Sequence, residues 1–234
     1  MNRIDKELHL RGLAKSRTAA CELISEGKVT VNGKPCNKPS LLVTHQDVIE
    51  ICGVSHGYVS RGGLKLEHAL HSFNIDLNGK VCLDVGASTG GFTDCMLRSG
   101  AKKVYAVDVG TDQLDSKLRE DKRVISLEQL DIREFNPPEK IEFTSVDVSF
   151  ISLKAVLPFV KSEAVLLIKP QFETQRKHKG VIRNQKVHDK VVSELRSFAT
   201  ELGFTVKALT DSPITGKSGN IEFLMWVDVE RSQT

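Results

Sequence analysis

A doubly wound α/β sheet behind a small α+β module is the fold this chain predicts. Three observations carry that expectation. From residue 61 onward, short apolar runs alternate with helical stretches, the pattern of strands joined by crossover helices. One run passes directly into Asp84-Val85-Gly86-Ala87-Ser88-Thr89-Gly90-Gly91-Phe92, a strand-turn-helix signature. Ahead of both, residues 1–53 read as a separate compact unit, with 54–60 as a linker and 61–234 as the larger domain.

In the first unit, Ile4, Leu8 and Leu13 begin an apolar stripe. Ser16 reads as the N-cap of a helix from Arg17 to about Glu26, with Ala20, Leu23 and Ile24 on one face and Gly27 as its stop. Lys28 to Val31 alternates like a strand, and Asn32-Gly33 is a hairpin signal. Lys34 to Ser40 holds two prolines and reads as irregular, and Leu41 to Ile51 as further short strands. So small a unit buries little core. Arg3, Lys15, Arg17, Lys28 and Lys34, with Arg61 just past the linker, are expected to meet phosphates, contacts that position a nucleic acid without reading its sequence.

In the larger domain the expected strands are Val81–Val85, Lys103–Val107, Val124–Leu127, Phe143–Asp147, Ala164–Ile168, Thr205–Leu209 and Ile221–Val227. Helical stretches fall at Leu64–Phe73, Phe92–Ser99, Leu153–Val160 and Val187–Leu202, the last stopped by Gly203.

A net charge of +3 neither requires nor excludes a nucleic-acid partner, but its distribution is uneven. Residues 1–45 carry eight Lys/Arg against four acids, and residues 175–190 carry six against Asp189 alone. The five cysteines are odd in number and form no CxxC pair, which fits reduced thiols in a cytoplasmic protein. The mixed-charge start Asn2-Arg3-Ile4-Asp5-Lys6 is no signal peptide, and no run approaches the ~20 apolar residues that span a bilayer. Seven histidines are scattered without metal-ligand spacing, so no metal and no membrane partner is expected.

Gly86, Gly90 and Gly91 let the backbone turn sharply and approach a ligand closely, with Ala87, Ser88 and Phe92 completing the loop. The spacing is G-x-x-x-G-G rather than the G-x-G-x-x-G of dinucleotide sites, which favours a ligand without phosphates, S-adenosylmethionine above all. Asp108 ends the next apolar run, where an acid can accept from both ribose hydroxyls of a nucleoside cofactor. Asp131 follows the third run and can meet an adenine amino group; Asp84 can bind a methionyl ammonium or orient the loop.

Lys65, Asp147, Lys169 and Glu222 stand after the turn-like Ser60 to Gly63 or at the ends of apolar runs. Singly, each reads as a surface charge. Jointly, two lysines and two acids near a methyl-donor pocket can align and deprotonate a ribose hydroxyl. A lysine serves as base when burial or a second lysine lowers its pKa; Lys169 is the expected base, with Lys65 and Asp147 tuning it and Glu222 orienting the group.

Arg3-Ile4-Asp5, Arg11 to Arg17, Leu23-Ile24, Gly27 to Gly33 and Lys38-Pro39-Ser40 resemble the small RNA-binding domain first defined in ribosomal small-subunit protein four. Tyr58 to Leu66, Leu83 to Thr93, Val109 to Asp115, Asp147 to Leu153, Leu167 to Glu173 and Ser218 to Phe223 resemble the TlyA family, so that the likeness covers nearly the whole chain. The resemblance implies a Rossmann-like class I methyltransferase domain similar to the FtsJ ribose methyltransferases, with S-adenosylmethionine as donor. It implies a cytidine 2′-hydroxyl of ribosomal RNA as acceptor, in free rRNA or in ribosomal subunits, the large subunit favoured. By the same likeness Lys65, Asp147, Lys169 and Glu222 match a catalytic tetrad. Some members have arginine and tryptophan in the linker where this chain has His56 and Tyr58. The family also carries the label haemolysin, so a membrane-active protein is the rival reading; a non-catalytic RNA-binding assembly factor is a third.

Overall fold

The computed structural model describes residues 1–14, 16–25, 27–51, 57–174 and 180–229. The chain divides into two compact units, Met1–Arg61 and Gly62–Thr234.

The first unit packs helices Ile4–Leu10 and Arg17–Ser25 with five short strands. Its second helix starts and stops where its sequence dictates. The Ser16 hydroxyl accepts the Ala19 N–H at 3.1 Å. At the far end Gly27, left-handed at φ +69°, donates to Ile24 O, and Lys28 N–H donates to Leu23 O, which satisfies the last carbonyls. Asn32 and Gly33 have φ of +52° and +75°, the two left-handed residues that a tight hairpin between Val29–Val31 and the next strand needs. That next strand is Lys34–Pro35, where an irregular segment is expected from the prolines. Proline is tolerated there because the strand lies at the sheet edge, where an N–H is not required.

The core of this unit is small, centred on Ile4, Leu8, Ala20, Ile24, Val29 and Val43. Two buried acids reinforce it. Asp5 takes Arg3 at 3.1 Å and Arg17 at 2.7 Å, while Glu7 takes Arg11 at 3.1 Å. Arg11 also donates to the carbonyls of Thr44 and Asp47, tying the 44–47 turn to the first helix.

The second unit is built on a seven-stranded sheet. Its strands are β1 Val81–Val85, β2 Lys103–Asp108, β3 Val124–Glu128, β4 Phe143–Val146, β5 Glu163–Ile168, β6 Phe204–Asp211 and β7 Phe223–Val229. In space they run β3-β2-β1-β4-β5-β7-β6. The first five are parallel; β7 is antiparallel to both its neighbours. Central β1 is buried throughout, as a strand covered on both faces must be. Helices α1 Gly62–Phe73, α2 Gly91–Arg98, α3 Ser116–Arg119, α4 Leu153–Val156, α5 Pro170–Glu173 and α6 Gln185–Glu201 accompany the strands. On α6, Val191, Leu195 and Ala199 recur every fourth residue and are the face buried against the core.

The insertion of β7 between β5 and β6 is not visible in the sequence pattern. It follows from the connection 212–222, which has no crossover helix, so β6 and β7 pair as antiparallel neighbours. Strand order reverses between β1 and β4, and a crevice at such a switch point is where open α/β sheets bind ligands.

Candidate active site at the carboxyl edge of the sheet

Backbone strain marks this edge. Among the described residues of the second unit, five non-glycine residues have positive φ. Four of them, Ser88, Asp112, Gln129 and Phe150, lie in the loops that follow β1, β2, β3 and β4. Such conformations cost of order 1 kcal/mol each and concentrate at functional sites.

The glycine loop leaves β1 through Gly86 at φ +82°, where a Cβ would stand 2.5 Å from the Asp147 carbonyl oxygen. Only glycine lets the loop after β1 pass so close to the end of β4. Gly90, at φ +96°, is the N-cap of α2 and leaves no room for a Cβ against Leu118 and Leu114. Gly86→Ala is therefore expected to lower stability by about 3 kcal/mol, from a left-handed alanine and an overpacked contact. Thermal melting of the purified variant checks this; a wild-type melting temperature contradicts it.

Asp108 joins two loops. Its Oδ2 accepts the Ser88 N–H and its Oδ1 the Gly110 N–H, both at 2.7 Å. Each oxygen keeps a second lone pair for a ligand. Ser88 itself is exposed, while Ala87, Gly91 and Phe92 are buried. The Phe92 side chain is therefore a core anchor of α2, and a ligand can reach only its backbone.

Asp84 is completely buried. It accepts from Thr93 Oγ1 at 2.7 Å and Ser145 Oγ at 2.8 Å, which pins α2 to β4. Burial pushes its pKa up to about 6 against the pull of those two hydroxyls, with the Asp147 charge adding to the rise. Of the two roles open to Asp84 from the sequence, the ammonium contact does not fit this sealed side chain; loop orientation does. Asp131 caps the turn Ile132–Glu134 through the Arg133 N–H and pairs with Arg133 at 2.7 Å, which holds it ionised. Its Oδ2 has only that one partner, so it can still accept. Sequence reading passes over Glu128, whose carboxylate accepts the N–H groups of Asp112 at 2.6 Å and Gln113 at 3.1 Å and so folds the loop after β2.

The four charged residues come together on neighbouring strand ends. Asp147 directly follows β4, Lys169 directly follows β5, and Glu222 directly precedes β7, whose Phe223 pairs with Ile168. Lys65 reaches the same edge from α1. They form two ion pairs. Lys65 Nζ lies 2.5 Å from Glu222 Oε2, and Lys169 Nζ lies 2.6 Å from Asp147 Oδ1. Lys65 and Lys169 are 9% exposed and Glu222 is 3% exposed. The second pair is a charge contact off the hydrogen-bond axis, since Asp147 Oδ1 has no aligned donor. The aligned bond from Lys169 goes instead to Ser149 Oγ at 2.9 Å. Gly216 leaves no room for a Cβ beside Glu222 Oε1, so the 212–222 connection packs directly on that carboxylate.

Two further aromatics stand here. Phe150 is 91% exposed at φ +67°, and its ring centroid is 5.1 Å from that of Phe172. Phe172 lies in turn 5.9 Å from Lys169 Nζ. Both residues sit inside motifs already quoted, but only the structure shows that one is left in water.

In the first unit the expected phosphate contacts are dispersed. Arg3 and Arg17 share the Asp5 carboxylate with their outer faces exposed, Lys28 donates to Val59 O at 2.8 Å, and Lys34 is exposed on the hairpin. Arg61 is half-buried at the end of the unit. Lys15, His56 and Arg176, Lys177 and Lys179 of the second basic cluster lie outside the described residues. Among the described residues no cluster of His, Cys, Asp and Glu could hold a metal ion, and no helix is long and apolar enough to cross a membrane.

The strand order, the glycine loop and the acid that ends β2 define the class: a methyltransferase built on a doubly wound sheet. Residues 58–229 match the FtsJ-like methyltransferase model and residues 2–49 the S4 domain model, so the chain belongs to the FtsJ-like methyltransferase family and carries an S4 domain. It is 40% identical to the 16S/23S rRNA (cytidine-2′-O)-methyltransferase TlyA of Mycobacterium tuberculosis, over 99% of this chain and 90% of that protein. It is 43% identical to Hemolysin A of Brachyspira hyodysenteriae, over 95% and 98% of the two chains. A solved structure from Streptococcus thermophilus, provisionally named a hemolysin, superposes with a TM-score of 0.77 at 43% identity, covering 98% of this chain and 89% of that one.

Proposed function

We propose that this chain transfers a methyl group from S-adenosylmethionine to the 2′-hydroxyl of a cytidine ribose in ribosomal RNA, and works in the cytoplasm where that RNA is. The observation that carries the reading is the pair of lysine–carboxylate contacts, the buried Lys65–Glu222 and the partly exposed Lys169–Asp147, on the edge that also bears the glycine loop. The S4 domain and the TlyA relatives support ribosomal RNA as the acceptor.

The loop residues fit the donor. Gly86 and Gly90 hold the loop in its sharp turn, Asp108 has lone pairs for a ribose, and Asp131 Oδ2 can accept from an adenine amino group. Asp108 and Asp131 present carboxylate oxygens at that edge, which favours a hydrogen-bond-donating ligand over a phosphate. When bound, S-adenosylmethionine supplies an electrophilic methyl group on a sulfonium sulfur.

The chain's own side chains do the rest. Lys169, ion-paired with Asp147 at rest, takes the proton that the 2′-oxygen gives up as it becomes a nucleophile, after releasing one of its own to solvent. Asp147 and Ser149 hold that nitrogen in place. Lys65, fixed by Glu222, sets a positive charge where the oxygen becomes negative. Phe150 and Phe172 offer a stacking surface beside Lys169 for the target base, lifted out of its RNA stack. Phe150→Ala is expected to lower kcat/KM for RNA about 10- to 100-fold, the worth of one stacked base, with S-adenosylmethionine affinity unchanged. Unchanged kcat/KM in steady-state transfer removes the stacking role.

The test of the whole reading is transfer of labelled methyl from S-adenosylmethionine to unmodified small and large ribosomal subunits and to naked rRNA. Label on either subunit or on the naked rRNA supports it and identifies the substrate. A chain that binds S-adenosylmethionine yet labels none of them is instead an RNA-binding factor or acts on other RNA.

A further inference from the structure

We propose that Glu173 is a positioning residue of the methyl-transfer site, a single carboxylate that fixes the Asp147 loop against the turn of Lys169. The proposal rests on the methyl-transfer reading above and adds a residue to it.

The loop 147–152 carries Asp147, Ser149 and Phe150. At its start the sheet holds it, with the Asp147 N–H donating to Val85 O at 2.9 Å. Its middle is exposed at Ser149 and Phe150. At its far end both oxygens of Glu173 are engaged. Ser152 Oγ donates to Oε2 at 2.5 Å, and the Leu153 N–H donates to Oε1 at 2.8 Å. Glu173 in turn closes the short helix α5 that Lys169 opens as its N-cap, and the Phe172 N–H donates back to Lys169 O at 2.9 Å.

These links close a ring. It runs from Lys169 through the tight turn to Glu173, across to Ser152, back along the loop to Asp147, and over the 2.6 Å contact to Lys169. Without the Glu173 link, the loop beyond its sheet-held start is tied to Lys169 through the Ser149 and Asp147 contacts, groups that must rearrange when a ribose enters. A helix-capping role alone does not account for Glu173. Ser152 already caps α4, accepting the Lys154 N–H at 3.1 Å, and α4 spans only Leu153–Val156. Burial raises the pKa of Glu173, opposed by the Leu153 N–H, the Ser152 hydroxyl and the Lys154 charge.

The experiment compares methyl transfer to rRNA by the full-length wild type, Glu173→Ala, Glu173→Gln and Ser152→Ala, with S-adenosylmethionine affinity by calorimetry and folding by thermal melting. Glu173→Ala is expected to lose about 50-fold in kcat while the KM for RNA and the cofactor Kd stay within about twofold, the mark of misplaced catalytic groups. Glu173→Gln is expected to recover to within about fivefold of wild type, because its amide can accept from Leu153 N–H and donate to Ser152 Oγ. Ser152→Ala, which keeps the Leu153 bond, is expected to lose about tenfold, and it carries the test if Glu173→Ala does not fold. Full kcat in the folded alanine variants, or a loss confined to melting temperature, overturns the proposal while leaving the methyl-transfer reading intact. A wild type silent on every rRNA substrate overturns that reading, and this proposal with it.

Discussion

Lys169→Ala lowers kcat by about 10²- to 10⁴-fold, the usual contribution of a positioned general base, and leaves S-adenosylmethionine binding near wild type. The separation follows from geometry. Lys169 leaves β5, whereas the glycine loop and Asp108 lie on β1 and β2, on the other side of β4. Stability should change little. The carboxylate left behind, Asp147, has a side chain 23% exposed, so water can take over part of its solvation. Single-turnover transfer with cofactor affinity measured beside it checks both halves. Wild-type turnover in a folded Lys169→Ala variant removes the base from the account.

Glu222→Ala has a different signature, because its partner is sealed in. With Lys65 9% exposed and its carboxylate gone, the variant buries an ammonium without a counter-ion. Breaking a buried pair from one side costs about 3–5 kcal/mol. In a domain of this size that lowers the melting temperature by about 10 °C. Turnover falls as well, since Lys65 loses its anchor. The double variant Lys65→Met/Glu222→Leu separates the two effects: apolar replacement of a buried pair is close to neutral for stability, so melting recovers while activity does not. Recovery of both would show that the pair is structural and outside the chemistry.

The parts of this account that were legible in the sequence are the local ones. The Ser16 cap, the Gly27 stop and the Asn32-Gly33 turn are short-range signals, and the structure shows each with its hydrogen bonds or left-handed φ. The glycine loop is equally local, since Gly86 and Gly90 are demanded by backbone conformation and close approach. Lys34–Pro35 misleads because proline usually breaks a strand, and only its edge position makes it harmless.

What the sequence could not show is set by contacts between distant residues. The place of β7 depends on pairing Phe223–Val229 with both β5 and β6. That Asp84 turns inward depends on hydroxyls at Thr93 and Ser145, the latter 61 residues away. The partition of four charged residues into Lys65–Glu222 and Lys169–Asp147 joins positions 157 and 22 residues apart, and no periodicity records it. Ser149, Phe150 and Glu173 were present in recognisable motifs, yet the roles proposed for them rest on a left-handed backbone and on bonds across two loops.

The most direct test of the central claim is the chemical identity of the methylated product. Ribosomal subunits methylated by the wild-type protein would be digested to nucleosides and resolved by mass spectrometry. The account predicts 2′-O-methylcytidine with wild type and its loss with Lys169→Ala. Methyl on a base atom would contradict it, because paired lysines and acids arranged to deprotonate a hydroxyl would then have no hydroxyl to act on.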